Sequence, residues 1–366
     1  MPGRGRRREG SVVGVTLVGE TRMTPANTTK RTVPPRALDS AVTETENVYV
    51  IGHFGIARVP AQGWSLRVDG LVGTPLRVDL EQLRALPAVS VTAVLECFGN
   101  PLRPDEPVRR VANVTWRGVP VRDLLDRAGC RPGADSLWVA GLDTGRFDGR
   151  ATQDYLKDVP LDVAADRGIV AYEMNGEPLT EEHGFPARLF IPGYFGTNNV
   201  KWLRSLTVAA HRPEHLFTTE LYQRVPPGGR HPEPVRDLDV NSLLTGHSER
   251  AGVTTVHGWA WSVAPVREVR VGVDGEWLDA TVDPRRADTF GWQRFSRALH
   301  LGPGAHSVTA RATDCQGRSQ PLAGARNEAH TVTVTVPDPA PAGGVDAATA
   351  PSTGLDRRNK ERAAPS

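Results

Sequence analysis

The stretch AYEMNGEPLTEEHGFPARLFIPGYFGTNNVKWL, residues 171–203, decides how the rest of the chain reads. Over 171–188, Gly, Asn and Pro recur too densely for a core element, so the segment reads as loop-rich. Set into it are His183, Arg188 and, beyond the turn at 191–196, Lys201. An imidazole, a guanidinium and an ammonium in one such segment suit an anionic, phosphate-bearing ligand, because all can donate hydrogen bonds and two carry fixed charge. A solvated surface with incidental charges has the same composition. The residues alone leave both readings open.

Upstream, Val91-Thr-Ala-Val-Leu95 reads as a strand and Phe98-Gly99-Asn100 as a tight turn, with Cys97 between them. A cysteine where a strand enters a loop can present its sulfur to a cleft. Most free cysteines are inert core residues, and the local context favours that plainer reading.

Residues 1–45 are polar, rich in Thr, Arg and Pro, and read as a mobile tail. Order begins near Val48 and Tyr49. The alternation from Trp64 to Val68 predicts a strand ended by Asp69-Gly70. Asp79 with Gln82 forms a capping box for a helix from Leu80 to Leu86, and a second helix runs from Pro120 to Ala128 with Gly129 as its stop. Strands are expected at 89–96, 137–141 and 188–191. A Pro/Gly-rich linker occupies 226–236. Beyond it, alternation at Val269-Val271-Val273, Val308-Ala310-Ala312 and Val332-Val334-Val336 predicts an immunoglobulin-like antiparallel sandwich over 237–337. Residues 338–366 read as a second tail. The fold class is therefore α+β: a mixed α/β domain over 46–225, then the β-sandwich.

The 44 basic residues against 42 acidic give a net charge of +2, and no basic stripe recurs in the body, so a nucleic-acid footprint is not expected. Arg4, Arg6, Arg7 and Arg8 precede the apolar run 11–19, but that run is short, Gly-interrupted and followed by no clear cleavage site, which favours a basic tail over an export signal. No run approaches the ~18 apolar residues of a membrane span. Cys97, Cys130 and Cys315 form neither a zinc spacing nor a disulfide framework, so a reducing, cytoplasmic compartment is the simpler reading.

Residues 171–203 resemble the molybdopterin-binding signature of the sulfite oxidase family. LECFGN (95–100) resembles that family's cysteine loop, and YVIGHFGIARVPAQGWSLRVDGLV (49–72) its approach to the domain. HGWAWS (257–262), DGEW (274–277) and RATDCQGRSQP (311–321) resemble its C-terminal dimerisation domain. The four regions stand in family order over residues 46–337. The resemblance implies a molybdenum–molybdopterin cofactor with Cys97 as the one protein ligand to the metal, a role that suits a soft thiolate. It implies that His183, Arg188 and Lys201 hold the pterin and its phosphate, helped by Asn199, Val200 and Asp143. Val48, Tyr49, Val50, Ile51, Gly52 and His53 would approach the cofactor largely through the backbone. Tyr155 matches the family's active-site tyrosine. The implied activity is oxo transfer between molybdenum and a small substrate such as a sulfur compound, with electrons passed to a separate acceptor such as a cytochrome. No haem segment is visible in the sequence. A homodimer is implied by the second domain alone.

The pattern breaks at the substrate. Ile51 stands where a substrate-binding arginine is expected, and Gln293 replaces another. Arg58 and Arg103 are the candidates to compensate. A site short of two arginines should hold a dianion such as sulfite poorly. The alternatives are a molybdenum reductase of an S-oxide or N-oxide, and a non-catalytic descendant of the fold.

Overall fold

The computed structural model describes residues 28–338, apart from 102–105, 148, 227–228 and 288. The basic leader, Arg103 and nearly all of the C-terminal tail lie outside the described residues.

Local signals carry the first elements. The helix Leu80–Ala85 starts on Asp79, whose carboxylate accepts from the Gln82 amide at 2.8 Å while the Gln82 side chain accepts from the Asp79 amide at 3.0 Å. Asp79→Ala should cost about 1 kcal/mol, read as a lower urea midpoint with unchanged slope. The helix Val121–Ala128 buries Val121, Leu124, Leu125 and Ala128 and ends on Gly129 at φ 68°, a left-handed stop that suits glycine. A third helix, Leu161–Arg167, was not anticipated.

Two sheets frame the first domain. One runs in the order Leu156–Pro160, Ser136–Gly141, Leu203–Ala209, Ser65–Gly70, Leu76–Asp79. Its strands Leu203–Ala209 and Ser65–Gly70 are parallel and its other pairs antiparallel. The other is antiparallel: Glu177–Pro178, Ile169–Met174, Val111–Pro120, Val89–Glu96, with Arg188–Phe190 also paired to Ile169–Met174. Two four-stranded antiparallel sheets follow. Asn241–Arg250, Val253–Trp261, Gln293–Leu299 and Thr281–Val282 form one; Glu276–Asp279, Val266–Val273, Gly304–Asp314 and Thr331–Val336 form the other. Val256 and Phe295 from one and Val269, Val271 and Ala310 from the other share a buried core. The Asp274-Gly275 turn has both residues at positive φ, as a tight hairpin needs.

Three expectations are corrected. Residues 28–45 do not behave as a free tail: Thr29–Arg31 pairs with Val50–Gly52, Leu38 is fully buried, and its carbonyl accepts from Trp259 Nε1 at 2.7 Å. The turn-rich reading of 171–188 missed that Ile169–Met174 is an almost wholly buried strand; its apolar run was outweighed by the Asn175-Gly176 turn that follows. The linker is docked as well, since Glu233–Pro234 pairs with Gln223–Arg224 and Val235 is buried.

The strand Val89–Glu96 divides two cores by simple alternation. Ala93, Leu95 and, partly, Cys97 pack with Val48, Tyr49 and Trp116 on one side. Val94 and Phe98 pack on the other with Leu38, Leu243, Trp259, Trp261 and Trp292, most of them from the second domain.

Candidate functional site

A cleft of about 660 Å³, counting the solvent at its open mouth, lies where the loops after these strands meet. Cys97 lines it, half-buried, one residue past the end of its strand. Burial pushes its thiol upward; the Gly99 amide and the Arg110 and Arg326 guanidiniums pull it back, and Glu96 adds to the rise. Such a thiol stays protonated until a cation displaces the proton, and metal coordination does so outright.

Arg188 is buried and, among the described residues, has no carboxylate partner. Its guanidinium donates to the carbonyls of His183 (3.1 Å) and Asn199 (2.9 Å), lies 4.8 Å over the Trp116 ring, and leaves Nε unsatisfied. Burial lowers its pKa to about 10, the Tyr49 phenol opposing. Lys201 donates to the Glu182 carbonyl at 2.7 Å and sits 4.0 Å over the Trp202 ring; burial and Arg188 lower its pKa to about 7. His183 is held neutral, near 3, by burial and then by Arg188 and Lys201, and its Nε2 finds no partner. Burial lifts Asp143 to about 6, with Lys201 opposing, and one of its oxygens is also orphaned. Buried polar atoms are normally paired, so three orphans on residues that line one cleft single it out as the candidate site.

Farther along the wall Tyr155 donates to the Thr197 carbonyl at 2.8 Å and shares a 2.9 Å hydrogen bond with its hydroxyl. His53 stacks on Tyr155 at 5.0 Å and bonds the Tyr222 hydroxyl at 2.5 Å. Burial and then Lys201 and Lys157 lower His53 to about 3, so it is an uncharged neighbour. Gly196 is glycine by necessity, since a Cβ there would come 2.7 Å from the Tyr49 hydroxyl.

The pattern described as "Oxidoreductase molybdopterin binding domain" matches residues 53–217, the part of the chain that builds most of this cleft. The sulfite oxidase of Arabidopsis thaliana is 27% identical over 341 residues, covering 79% of this chain and 85% of that protein. The crystal structure of the sulfane dehydrogenase SoxCD from Paracoccus pantotrophus superposes with a TM-score of 0.76 at 26% identity over 87% of each chain. Residues 53–217 thus match an oxidoreductase molybdopterin-binding domain, and most of the chain is similar to a sulfite oxidase in sequence and to a sulfane dehydrogenase in fold. An NADH nitrate reductase of Solanum lycopersicum is 29% identical over 75% of this chain, which spans only 35% of that longer protein.

Of the residues the family resemblance singled out, Tyr49, Val50, Ile51, Gly52 and His53 line the cleft, as do Cys97, Tyr155, Asp143, His183, Arg188, Asn199 and Lys201. Two do not. Val48 and Val200 are buried behind the wall, their carbonyls accepting from Arg31 and from the Leu189 amide. Arg58 is also outside, its side chain 86% exposed beside Glu181 at 3.7 Å, too solvated to serve an enclosed substrate. Gln293 is buried among Val266 and Asp283 and does not line the cleft. Thr197, Trp202 and Tyr222 line it without having been anticipated. Thr197 and Trp202 lie in the 171–203 stretch but carry no charge to draw notice, and Tyr222 stands alone in sequence; only the fold brings it to His53.

Among the described residues no three His, Cys, Asp or Glu side chains gather as a protein-only metal site, and no helix is long and apolar enough to cross a membrane.

Proposed function

We propose that this cleft holds a molybdenum–molybdopterin cofactor through Cys97 and transforms a small, weakly charged substrate, with sulfur as the reacting atom. The supporting observation is that the Cys97 sulfur shares one cleft with the orphaned Asp143 oxygen, His183 Nε2 and Arg188 Nε and with Lys201. The donor set fits: guanidinium and ammonium match a phosphate, and a carboxylate with a neutral imidazole matches the mixed edge of a pterin. Bound there, the cofactor would supply two-electron redox chemistry coupled to oxygen-atom transfer.

The protein's own part is binding and positioning. Arg188 and Lys201 fix the phosphate, Cys97 fixes the metal, and Tyr155, held by Thr197, presents its hydroxyl to the substrate. Burial keeps the Tyr155 phenol protonated, and its single O–H would swing from the Thr197 carbonyl to donate to a substrate. Ile51, Leu95, neutral His53 and Tyr222 complete a wall with no cation of its own. Such a wall pays poorly for a dianion's desolvation and suits an uncharged sulfur centre. The solved relative is by its title a sulfane dehydrogenase, which supports sulfur chemistry and electron delivery to a separate acceptor. The second domain's two sheets are read as the immunoglobulin-like dimerisation unit of the family, and light scattering would read a dimer directly.

The test is metal and pterin analysis of the purified chain beside Cys97→Ser, both from a cofactor-competent host. Near one molybdenum and one pterin per chain in the wild type, with molybdenum lost from the variant, is the expected result. No molybdenum in the wild type would leave a non-catalytic descendant of the fold as the better reading.

A further inference from the structure

Glu96 points away from the cleft that Leu95 and Cys97 face, and its side chain is completely buried. Its carboxylate is fastened from three directions. Asn100 Nδ2 donates at 3.1 Å from the cysteine loop itself. Asn241 Nδ2 donates at 3.1 Å and Trp261 Nε1 at 2.8 Å, both from the second domain. Gln320 in turn holds the Asn241 carbonyl oxygen at 3.0 Å, so the asparagine is itself oriented.

A second tie lies on the far side of the loop. Arg326 donates to the Asn100 carbonyl and to Asp239, each at 2.7 Å. Its guanidinium lies 4.9 Å from the Phe98 ring and 5.2 Å from the Phe195 ring. Phe98 follows Cys97, and Phe195 is two residues before Thr197, the partner of Tyr155. One arginine of the second domain thus braces both loops that bring chemistry to the cleft. Arg110 closes the loop from within, its amide on Asn100 Oδ1 at 2.6 Å and its guanidinium on the Gly99 carbonyl at 2.7 Å.

We propose that the second domain is a working half of the cofactor site: Trp261, Asn241 and Arg326 are positioning residues that set the Cys97 thiol through Glu96 and Asn100. The physical reason is that a turn of Phe, Gly and Asn has little rigidity of its own. A buried carboxylate with several good donors has one low-energy position, because any displacement leaves polar atoms unpaired. The domain interface therefore defines where the sulfur sits. This goes beyond the assignment of Cys97 as metal ligand and rests on it only for its consequence in the loaded enzyme.

The test reads the thiol directly. The full-length chain, made in a host without pterin cofactor, is treated with iodoacetamide, and alkylation of Cys97 is followed by peptide mass relative to Cys130, which is exposed and serves as reference within the same molecule. Trp261→Phe keeps the ring and removes the donor, without changing charge. It should raise the Cys97/Cys130 rate ratio about tenfold, and Arg326→Lys, which keeps the charge but loses the fork, several-fold. Val334→Ala loosens the second domain's own core without touching Glu96 and should leave the ratio within twofold of wild type. A ratio unchanged in both junction variants, or raised equally by Val334→Ala, overturns the proposal. If Trp261→Phe does not fold, Arg326→Lys decides. Because the readout contains no metal, absence of molybdenum from the wild type would refute the proposed function while leaving this result to be judged separately.

Discussion

A chain carrying Lys201→Met is expected to melt roughly 3–6 °C above the wild type at pH 7 when neither contains cofactor, and yet to retain pterin more weakly when made with it. Lys201 is held at about 7 by burial and by Arg188, against a free-chain value of about 10.4. Between those two pH values the unfolded chain binds a proton here that the folded chain does not, so folding grows more favourable as pH rises through that window. Below it the full cost of a charge beside Arg188 remains. Methionine fills the same volume without that cost, though it forfeits the bond to the Glu182 carbonyl and the contact over Trp202. The advantage of the variant should therefore shrink steadily from pH 7 toward pH 10. Differential scanning calorimetry across that range checks it, and a variant that melts below wild type at pH 7 would show that the ammonium is not held at a cost. An anionic ligand reverses the balance, since a phosphate beside Lys201 favours its charged form. Losing that charge-assisted contact should weaken cofactor retention by about 10- to 100-fold. A binding site that destabilises its own empty form is a familiar trade of stability for function.

Ile51→Arg should convert a poor sulfite site into a usable one, lowering KM for sulfite by about tenfold or more. Ile51 lines the cleft between Val50 and Gly52, beside His53. Among the described residues Arg188 and Lys201 are its cations, and both are committed to the neighbouring cradle. A guanidinium at position 51 would add a planar donor pair to a wall that now offers a methyl group. A charge-assisted hydrogen bond of ~1.5–3 kcal/mol corresponds to the expected change. Steady-state assays with an artificial one-electron acceptor and with sulfite varied from micromolar to millimolar give the answer. Efficient turnover of micromolar sulfite by the wild type would remove the case for a weakly charged substrate.

The signals legible in the sequence were those that act over a few residues or through charge. The Asp79–Gln82 capping box, the Gly129 stop and the Asp274-Gly275 hairpin each depend on neighbours in the chain, and each forms where the residues indicate. His183, Arg188 and Lys201 were visible because cations in a turn-rich stretch are unusual. Cys97 on its own would have passed for a core cysteine; the family's loop pattern marked it. What remained hidden depends on long-range contact. Ile169–Met174 is buried because Val111–Pro120 covers one of its edges, and Tyr222 reaches His53 across 169 positions of sequence. The ordered segment 28–45 is polar by composition, yet Leu38 and the Ala41 carbonyl are held by tryptophans more than two hundred residues away. Arg58 failed as a candidate for the opposite reason, because charge alone does not say which way a side chain turns.

The fastening of Glu96 also fixes an order of events during synthesis. Trp261 and Arg326 leave the ribosome long after the cysteine loop, the arginine more than two hundred residues later, a delay of roughly ten to fifty seconds at ordinary translation rates. Until then the carboxylate beside Cys97 lacks two of its three donors, and Phe98 lacks its cover. The nascent first domain can collapse around its own sheets, but on the proposal made above its thiol would still lack the contacts that settle its position. On the proposal made above, a site whose loop is braced by Asn241, Trp261 and Arg326 would be ready for a cofactor only after the second domain has folded onto the first.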